Sequence, residues 1–306
     1  MRIGVDLGGT KIEFIALGDD GATLLRDRTP APRGDYAATI RTICDGIAAA
    51  ERATGRTGTV GVGIPGAISP ATGLVKNANS VWLIGRALQR DLAAALARPV
   101  QVANDADCFA LSEATDGAGA GAGTVFGAIL GTGVGGGLVI GGRLLAGPNA
   151  IAGEWGHNPL PWPADDERPG PACYCGRQGC IETFLSGPGL VRSYAALAGA
   201  PVDGDADAAS IAARAEAGDD AARRALALHS DRLARGLATV INLVDPDVVV
   251  LGGGLSNMRH LYEDVPRLWT RWVFSDRVAT RLVPPAHGDS SGVRGAAWLW
   301  PAERSG

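Results

Sequence analysis

Three glycine-rich stretches, Gly8-Gly9-Thr10, Gly131-Thr132-Gly133 and Gly252-Gly253-Gly254, each follow a short apolar run. A Gly-Gly-Thr turn presents backbone N–H groups with no Cβ in the way, plus a hydroxyl, to an anion such as a phosphate. Asp6 stands just ahead of the first turn, where a carboxylate can hold Mg²⁺ directly or through water, and Lys11 adds a point charge. Thr132 and Gly133 would clamp the same phosphates from the other half of the chain, and Gly253 and Gly254 suit close approach of a flat ligand. Each turn alone reads first as a tight hairpin; three at corresponding strand ends point to a nucleotide. None fits the Gly-x-x-x-x-Gly-Lys-Ser/Thr pattern. Asn104-Asp105 ends another apolar run and either caps a helix or delivers a carboxylate able to accept a proton. Cys173, Cys175 and Cys180 crowd together among five cysteines, which in a chain without a leader favours a metal over disulfides.

The elements that must position these residues come in two sets that begin alike. Residues 2–25 read as strand, Gly-Gly-Thr turn, strand, Gly-Asp-Asp-Gly hairpin, strand; residues 124–146 repeat that order around Gly-Thr-Gly. Each opening is followed by helix and strand in alternation. Tyr36, Ile40, Ile43, Ile47 and Ala50 trace a helical face, and 60–64 is a buried strand. Leu88, Leu92 and Leu96 mark another helix before strand 100–103. In the second half, Leu226, Leu233, Leu237, Val240 and Val244 line a long helix, followed by strand 248–251. Alternation of this kind implies α/β units. The expected division is 1–116, with 293–306 returning to it, against 117–292; a hinge near 116–123 would leave a cleft.

Composition narrows the function classes. The 306 residues carry 28 Lys and Arg against 32 Asp and Glu, a net charge of −4, so a basic nucleic-acid surface is not the main theme. At 46% hydrophobic and 20% charged, the chain has a core and is not disordered. Residues 117–142 lack charge, but their twelve glycines argue for two buried strands and a turn instead of a membrane helix. With no signal peptide at Met1, a cytoplasmic location is expected. The 45 glycines, about twice the usual ~7%, demand an explanation.

Six blocks carry a resemblance: Asp6-Leu7-Gly8-Gly9-Thr10-Lys11, Gly63-Ile64-Pro65-Gly66, Asn104-Asp105-Ala106, 131–137, Gly153-Glu154-Trp155-Gly156-His157, and Cys173 through Glu182. In this order they resemble the signature blocks of the ROK family, sugar kinases and related repressors on a duplicated, two-domain actin/hexokinase-like (ribonuclease H-like) α/β fold with an interdomain cleft. The resemblance covers essentially the whole chain. Segments 76–80, 155–162 and 287–297 look most like bacterial fructokinase of the manno(fructo)kinase type, with the N-acetylglucosamine kinase branch a near relative and glucokinase a further alternative. The resemblance implies ATP and Mg²⁺ as phosphate donor and cofactor, with D-fructose, and mannose beside it, as acceptor. It implies Asp105 as general base and Asn104 on neighbouring hydroxyls. Glu154, His157 and Glu182 are implied at the sugar, and Gly66 and Asn79 in loops lining the same pocket. His157 with Cys173, Cys175 and Cys180 forms a donor set suited to a closed, structural Zn²⁺ that ties the 154–157 and 173–182 segments together across the proline- and charge-rich loop 161–171. A homodimer is expected by family analogy.

Some readings stay open. Trp82 offers an apolar wall to a sugar or is plain core, and Cys44 and Cys108 read as core filler. A ROK repressor would carry a DNA-binding domain for which no room is expected ahead of residue 6. A non-catalytic sugar sensor would be exposed by the absence of ADP release.

Overall fold

The computed structural model describes residues 1–78, 80–201 and 206–300. Packing divides the chain into two units. The first is Met1–Gly121 with Gly137–Ala152 and the described residues from Ala286 onward; the second is Ala122–Gly136 with Gly153–Pro285. This differs from the expected division: the 137–152 block groups with the N-terminal residues, and the late boundary falls at 286 instead of 293.

The first half contains β1 (Arg2–Leu7), β2 (Lys11–Leu17), β3 (Thr23–Pro30), α1 (Tyr36–Thr54), β4 (Thr59–Ile64), two-residue strands β5 (Ala67–Ile68) and β6 (Val75–Lys76), α2 (Leu88–Leu96), β7 (Val100–Asn104) and α3 (Asp105–Thr115). Its sheet runs β3-β2-β1-β4-β7, antiparallel through β1–β3 and parallel from β1 to β7. The second half follows with β8 (Thr124–Leu130), β9 (Val134–Ile140), β10 (Arg143–Leu144), α4 (Ile181–Leu185), α5 (Gly187–Ala198), α6 (Ala208–Glu216), α7 (Asp220–Val244), β11 (Val248–Gly252), α8 (Leu261–Trp269), β12 (Arg281–Val283) and α9 (Ser291–Trp298). Its sheet runs β10-β9-β8-β11-β12. Third, second, first, fourth, fifth: the two sheets share one strand order, which is what the repeated openings foretell, although the third strand of the second set has shrunk to two residues.

Local chemistry explains the elements. Asp35 caps α1 by accepting from Ala38 N at 2.9 Å, and Gly55 ends it in the left-handed region at φ 65°. Ile43 and Ile47 of α1 are fully buried with Ile3, Val5, Ile12, Phe14, Val60 and Val62 on one face of the first sheet, each such side chain stabilising by about 1.5–3 kcal/mol. On the opposite face, Ile15 and Leu17 pack with Val293 and Ala297 of α9. Part of the glycine surplus serves this contact. A Cβ on Gly4 would lie 2.0 Å from Val293 O and one on Gly61 1.9 Å from Ala296 O, so only glycine lets helix and sheet meet at this distance. Trp82 and Cys44 are half-buried against the first unit's core, and Cys108 is fully buried. No helix among the described residues is long and apolar enough to cross a membrane.

Candidate functional site

In the first unit, the ends of β1, β4 and β7 bring the expected acidic and glycine residues onto neighbouring loops. Asn104 caps α3 through Oδ1, which accepts from Ala106 N at 2.9 Å, while its Nδ2 donates to Gly66 O at 3.0 Å. The capping role and the site placement therefore coincide in one side chain. Asp105 is exposed at the first position of α3, and its Oδ1 also accepts from Ala106 N, at 2.8 Å. Gly66 holds φ 87°, and a Cβ there would stand 2.4 Å from Lys76 O, so the 66 and 76–78 loops are locked together. The Gly8-Gly9-Thr10 turn closes with Gly8 N on Lys11 O at 3.0 Å, and the nearest atom to a Cβ on Gly9 is Ser80 Oγ at 3.9 Å. Asn79, expected in this lining, lies outside the described residues.

Asp6 shares its sheet face with Glu13, its register partner on β2. Its carboxyl is pushed up to about 7, first by burial, then by the charges of Asp105 and Glu13, against the opposing pull of Lys11. Glu13 itself is held by Arg26 at 2.6 Å and Arg28 at 2.8 Å. Asp6 is therefore the carboxylate of this group that a divalent cation would restore to its charged form, which fits the Mg²⁺ expected there.

In the second unit, turn 131–133 is built from the same kind of contacts. Gly131 N donates to Gly133 O at 2.9 Å, and Gly187 N donates to Gly131 O at 2.8 Å. Gly253, at φ 78°, has no space for a Cβ, which would lie 2.4 Å from Leu130 O. Gly131 and Gly254 differ: among the described residues, chain neighbours aside, a Cβ on either meets nothing within 4 Å. Neither has a protein neighbour that demands glycine. Gly254 opens a 3-10 turn, Gly254–Asn257.

Glu182 lies in the first turn of α4, with Oε2 accepting from Val134 N at 2.9 Å. Glu154 precedes, and His157 ends, a 3-10 turn anchored by Trp155, which is buried, donates Nε1 to Gly135 O at 2.8 Å and packs edge-on against Phe126. His157, Cys173, Cys175 and Cys180 place their ligand atoms within 4.8 Å of one another. Cys175 Sγ is 3.6 Å from Cys180 Sγ, and Cys173 Sγ is 3.6 Å from His157 Nδ1. Two thiolates on a tetrahedral zinc, each about 2.3 Å from the ion, stand about 3.8 Å apart, so donor types and spacing both fit Zn²⁺. His157 Nε2 lies 3.0 Å from the Tyr174 hydroxyl, which fixes the ring with Nδ1 toward the thiols. Nε2, the nitrogen left for the sugar contact expected of this residue, lies beside the exposed Tyr174 hydroxyl.

Loop 161–171 is held by more than the metal segment, a feature the sequence reading missed. Glu167 is buried and receives Arg232 Nε at 2.7 Å and Arg235 at 2.8 and 2.9 Å, while Arg235 Nη1 also donates to Trp162 O at 2.8 Å. Burial alone would raise the Glu167 carboxyl; the hydrogen bonds of Arg235, Arg232 and Ala164 N hold it at about 2. Arg232 and Arg235, three apart on α7, were the available signal, as two cations on the buried face of a helix call for an acid.

The family model described as "ROK family" matches residues 2–303. The N-acetyl-D-glucosamine kinases of Yersinia enterocolitica and Photobacterium profundum are 39% and 40% identical over 303 residues, covering 98% of this chain and 99% of each relative. Among solved structures, the ROK hexokinase from Thermus thermophilus superposes with a TM-score of 0.85 at 31% identity, over 97% of this chain and 96% of that one. A ROK family glucokinase from Streptomyces griseus, in complex with glucose and AMPPNP, gives 0.76 at 30%, over 97% and 98%. The family match and these relatives together define a sugar kinase. The chain belongs to the ROK family.

Proposed function

We propose that this protein transfers the terminal phosphate of ATP to the 6-hydroxyl of a hexose or N-acetylhexosamine. The observation that carries this reading is the pairing, within the first unit, of Asp105 with a phosphate-type turn. The Asp105 charge acts on Asp6, and Asn104 donates to the Gly66 carbonyl of the adjoining loop. Asp105 orients the nucleophilic hydroxyl and accepts its proton as the O–P bond forms and the bond to ADP breaks. Asn104, Gly66 and Asn79 hold neighbouring hydroxyls. Gly8, Gly9, Thr10 and Lys11 receive phosphate oxygens in the first unit, and Thr132 and Gly133 in the second. Gly253 and Gly254 border the flat base. When bound at Asp6, Mg²⁺ neutralises phosphate charge. Glu154 and Glu182 accept from sugar hydroxyls, and the His157–Cys173–Cys175–Cys180 zinc keeps their two segments in register.

For the acceptor, the names of the relatives support N-acetyl-D-glucosamine over the fructose that the sequence reading placed first. Fructose remains the second reading, favoured by segments 76–80, 155–162 and 287–297. A panel of kcat/KM by ADP release over N-acetylglucosamine, fructose, mannose and glucose tests both. ATP consumption with none of them would end the kinase reading.

A further inference from the structure

A cation that the catalytic reading leaves unused stands against the first glycine turn. β3 ends at Pro30, which pairs with Lys11, and the chain then wraps the turn: Ala31 N donates to Thr10 O at 3.0 Å, and Arg33 Nε donates to Gly9 O at 2.7 Å. The segment Pro30-Ala31-Pro32-Arg33 carries two prolines with fixed φ, and Arg33 N closes a tight reverse turn onto Ala31 O at 2.9 Å. The arginine is otherwise exposed. Holding a long exposed side chain in one geometry costs up to about 2 kcal/mol of rotamer entropy, so a single carbonyl contact is a weak reason for it.

Charge gives a stronger one. Burial first, and then the nearby charges of Asp105 and Glu13, raise the Asp6 carboxyl, and Lys11 already opposes those charges. Arg26 and Arg28 are committed to Glu13. A triphosphate arriving at Gly8-Gly9-Thr10 adds negative charge, and Arg33 is the cation whose nitrogen already touches that turn. Nε bonding to Gly9 O holds the guanidinium against the turn, and a planar guanidinium fork suits two phosphate oxygens.

We propose that Arg33 binds the terminal phosphate of the nucleotide and so distinguishes triphosphate from diphosphate at this site. The inference rests on the reading of Gly8-Gly9-Thr10 as a phosphate turn. Arg33 is then a ligand-binding residue, and its contact with Gly9 sets the aim of its fork.

The experiment compares full-length wild type with Arg33→Ala and Arg33→Lys, titrating the magnesium complexes of ADP and of a β,γ-imido ATP analogue by calorimetry. In wild type, measurable binding of both nucleotides together with ADP release in the sugar panel tests the underlying reading separately from the variants. Arg33→Ala is expected to weaken the triphosphate analogue at least 10-fold and ADP no more than 2-fold, to raise the KM for ATP and to leave the sugar KM within 2-fold. Arg33→Lys should recover part of the loss, as should guanidinium ion added to Arg33→Ala. Equal weakening of ADP and the analogue would reduce Arg33 to a prop for the Gly9 carbonyl and overturn the proposal, and unchanged binding of both would do the same. A melting temperature for each variant, together with the retained ADP affinity, separates these outcomes from loss of fold.

Discussion

Glu182 Oε2 accepts the backbone N–H of Val134 at 2.9 Å, and the same oxygen lies 2.7 Å from where a Cβ on Gly133 would stand. One carboxylate therefore joins the cysteine segment, through α4, to the foot of the 131–133 turn. In this unit, the side chain proposed to hold a sugar hydroxyl also shapes the turn proposed to hold phosphate. Glu182→Gln keeps an acceptor for Val134 while removing the charge, and is expected to raise the sugar KM by 10-fold or more with the KM for ATP little changed, since hydrogen bonds to a charged group contribute about 1.5–3 kcal/mol. Glu182→Ala should raise both. Steady-state kinetics with each substrate varied in turn checks the difference.

Asp105→Asn removes the proton acceptor but keeps a polar group of the same size at the start of α3. Turnover should fall by about 10²–10⁴-fold, the usual worth of a positioned general base, with sugar affinity within an order of magnitude. Near-normal kcat in this variant would remove Asp105 from the role.

Neighbouring glycines separate packing from ligand approach. Gly253→Ala meets the Leu130 carbonyl at 2.4 Å from a φ of 78°, and should lower the melting temperature. Gly254→Ala enters open space. Its melting temperature should match wild type, while its affinity for ATP falls if the loop borders the nucleotide. Unchanged ATP affinity in Gly254→Ala would move the base elsewhere.

Zinc analysis should find the metal in equimolar amount with the chain. Cys180→Ser, at a buried ligand that is also the cap of α4, is expected to lose it and to lower stability. Because Glu182 follows two residues later, the sugar KM should rise as well. Strong chelators should reproduce the effect in the wild type, and metal-free protein with full activity would contradict the positional role.

The Glu167 cluster sets an acid limit. Its folded carboxyl sits at about 2, below the ordinary value of 4.5. The stabilisation is therefore complete above about pH 4.5 and is lost as the pH falls from there toward 2. Glu167→Gln, which leaves Arg232 and Arg235 buried beside a neutral group, should cost about 3–5 kcal/mol and flatten this part of the stability profile. Denaturant unfolding of both proteins between pH 3 and 7 reads the difference.

Much of the architecture is written in local pattern. Periodicity places α1, α2 and α7 because the apolar stripe of a helix must face a core whatever that core is. The strand–turn–strand openings announce the duplicated strand order, since a glycine turn between apolar runs leaves few other pairings. The Cys173–Cys180 spacing marks a cluster able to hold a metal, because few other uses bring three thiols so close. Tertiary structure decided what depends on partners distant in sequence. That Asn104 both caps α3 and bonds Gly66, that Glu167 finds Arg232 and Arg235 on α7, and that Arg33 returns to Gly9 are contacts across 24 to 68 residues. The division of labour among glycines is of the same kind. Gly4 and Gly61 admit a helix, Gly253 admits a carbonyl, and at Gly131 and Gly254 no described residue beyond the chain neighbours comes within 4 Å of a Cβ. A missing Cβ looks the same in every sequence position; only the neighbour that occupies or leaves its space gives it a purpose.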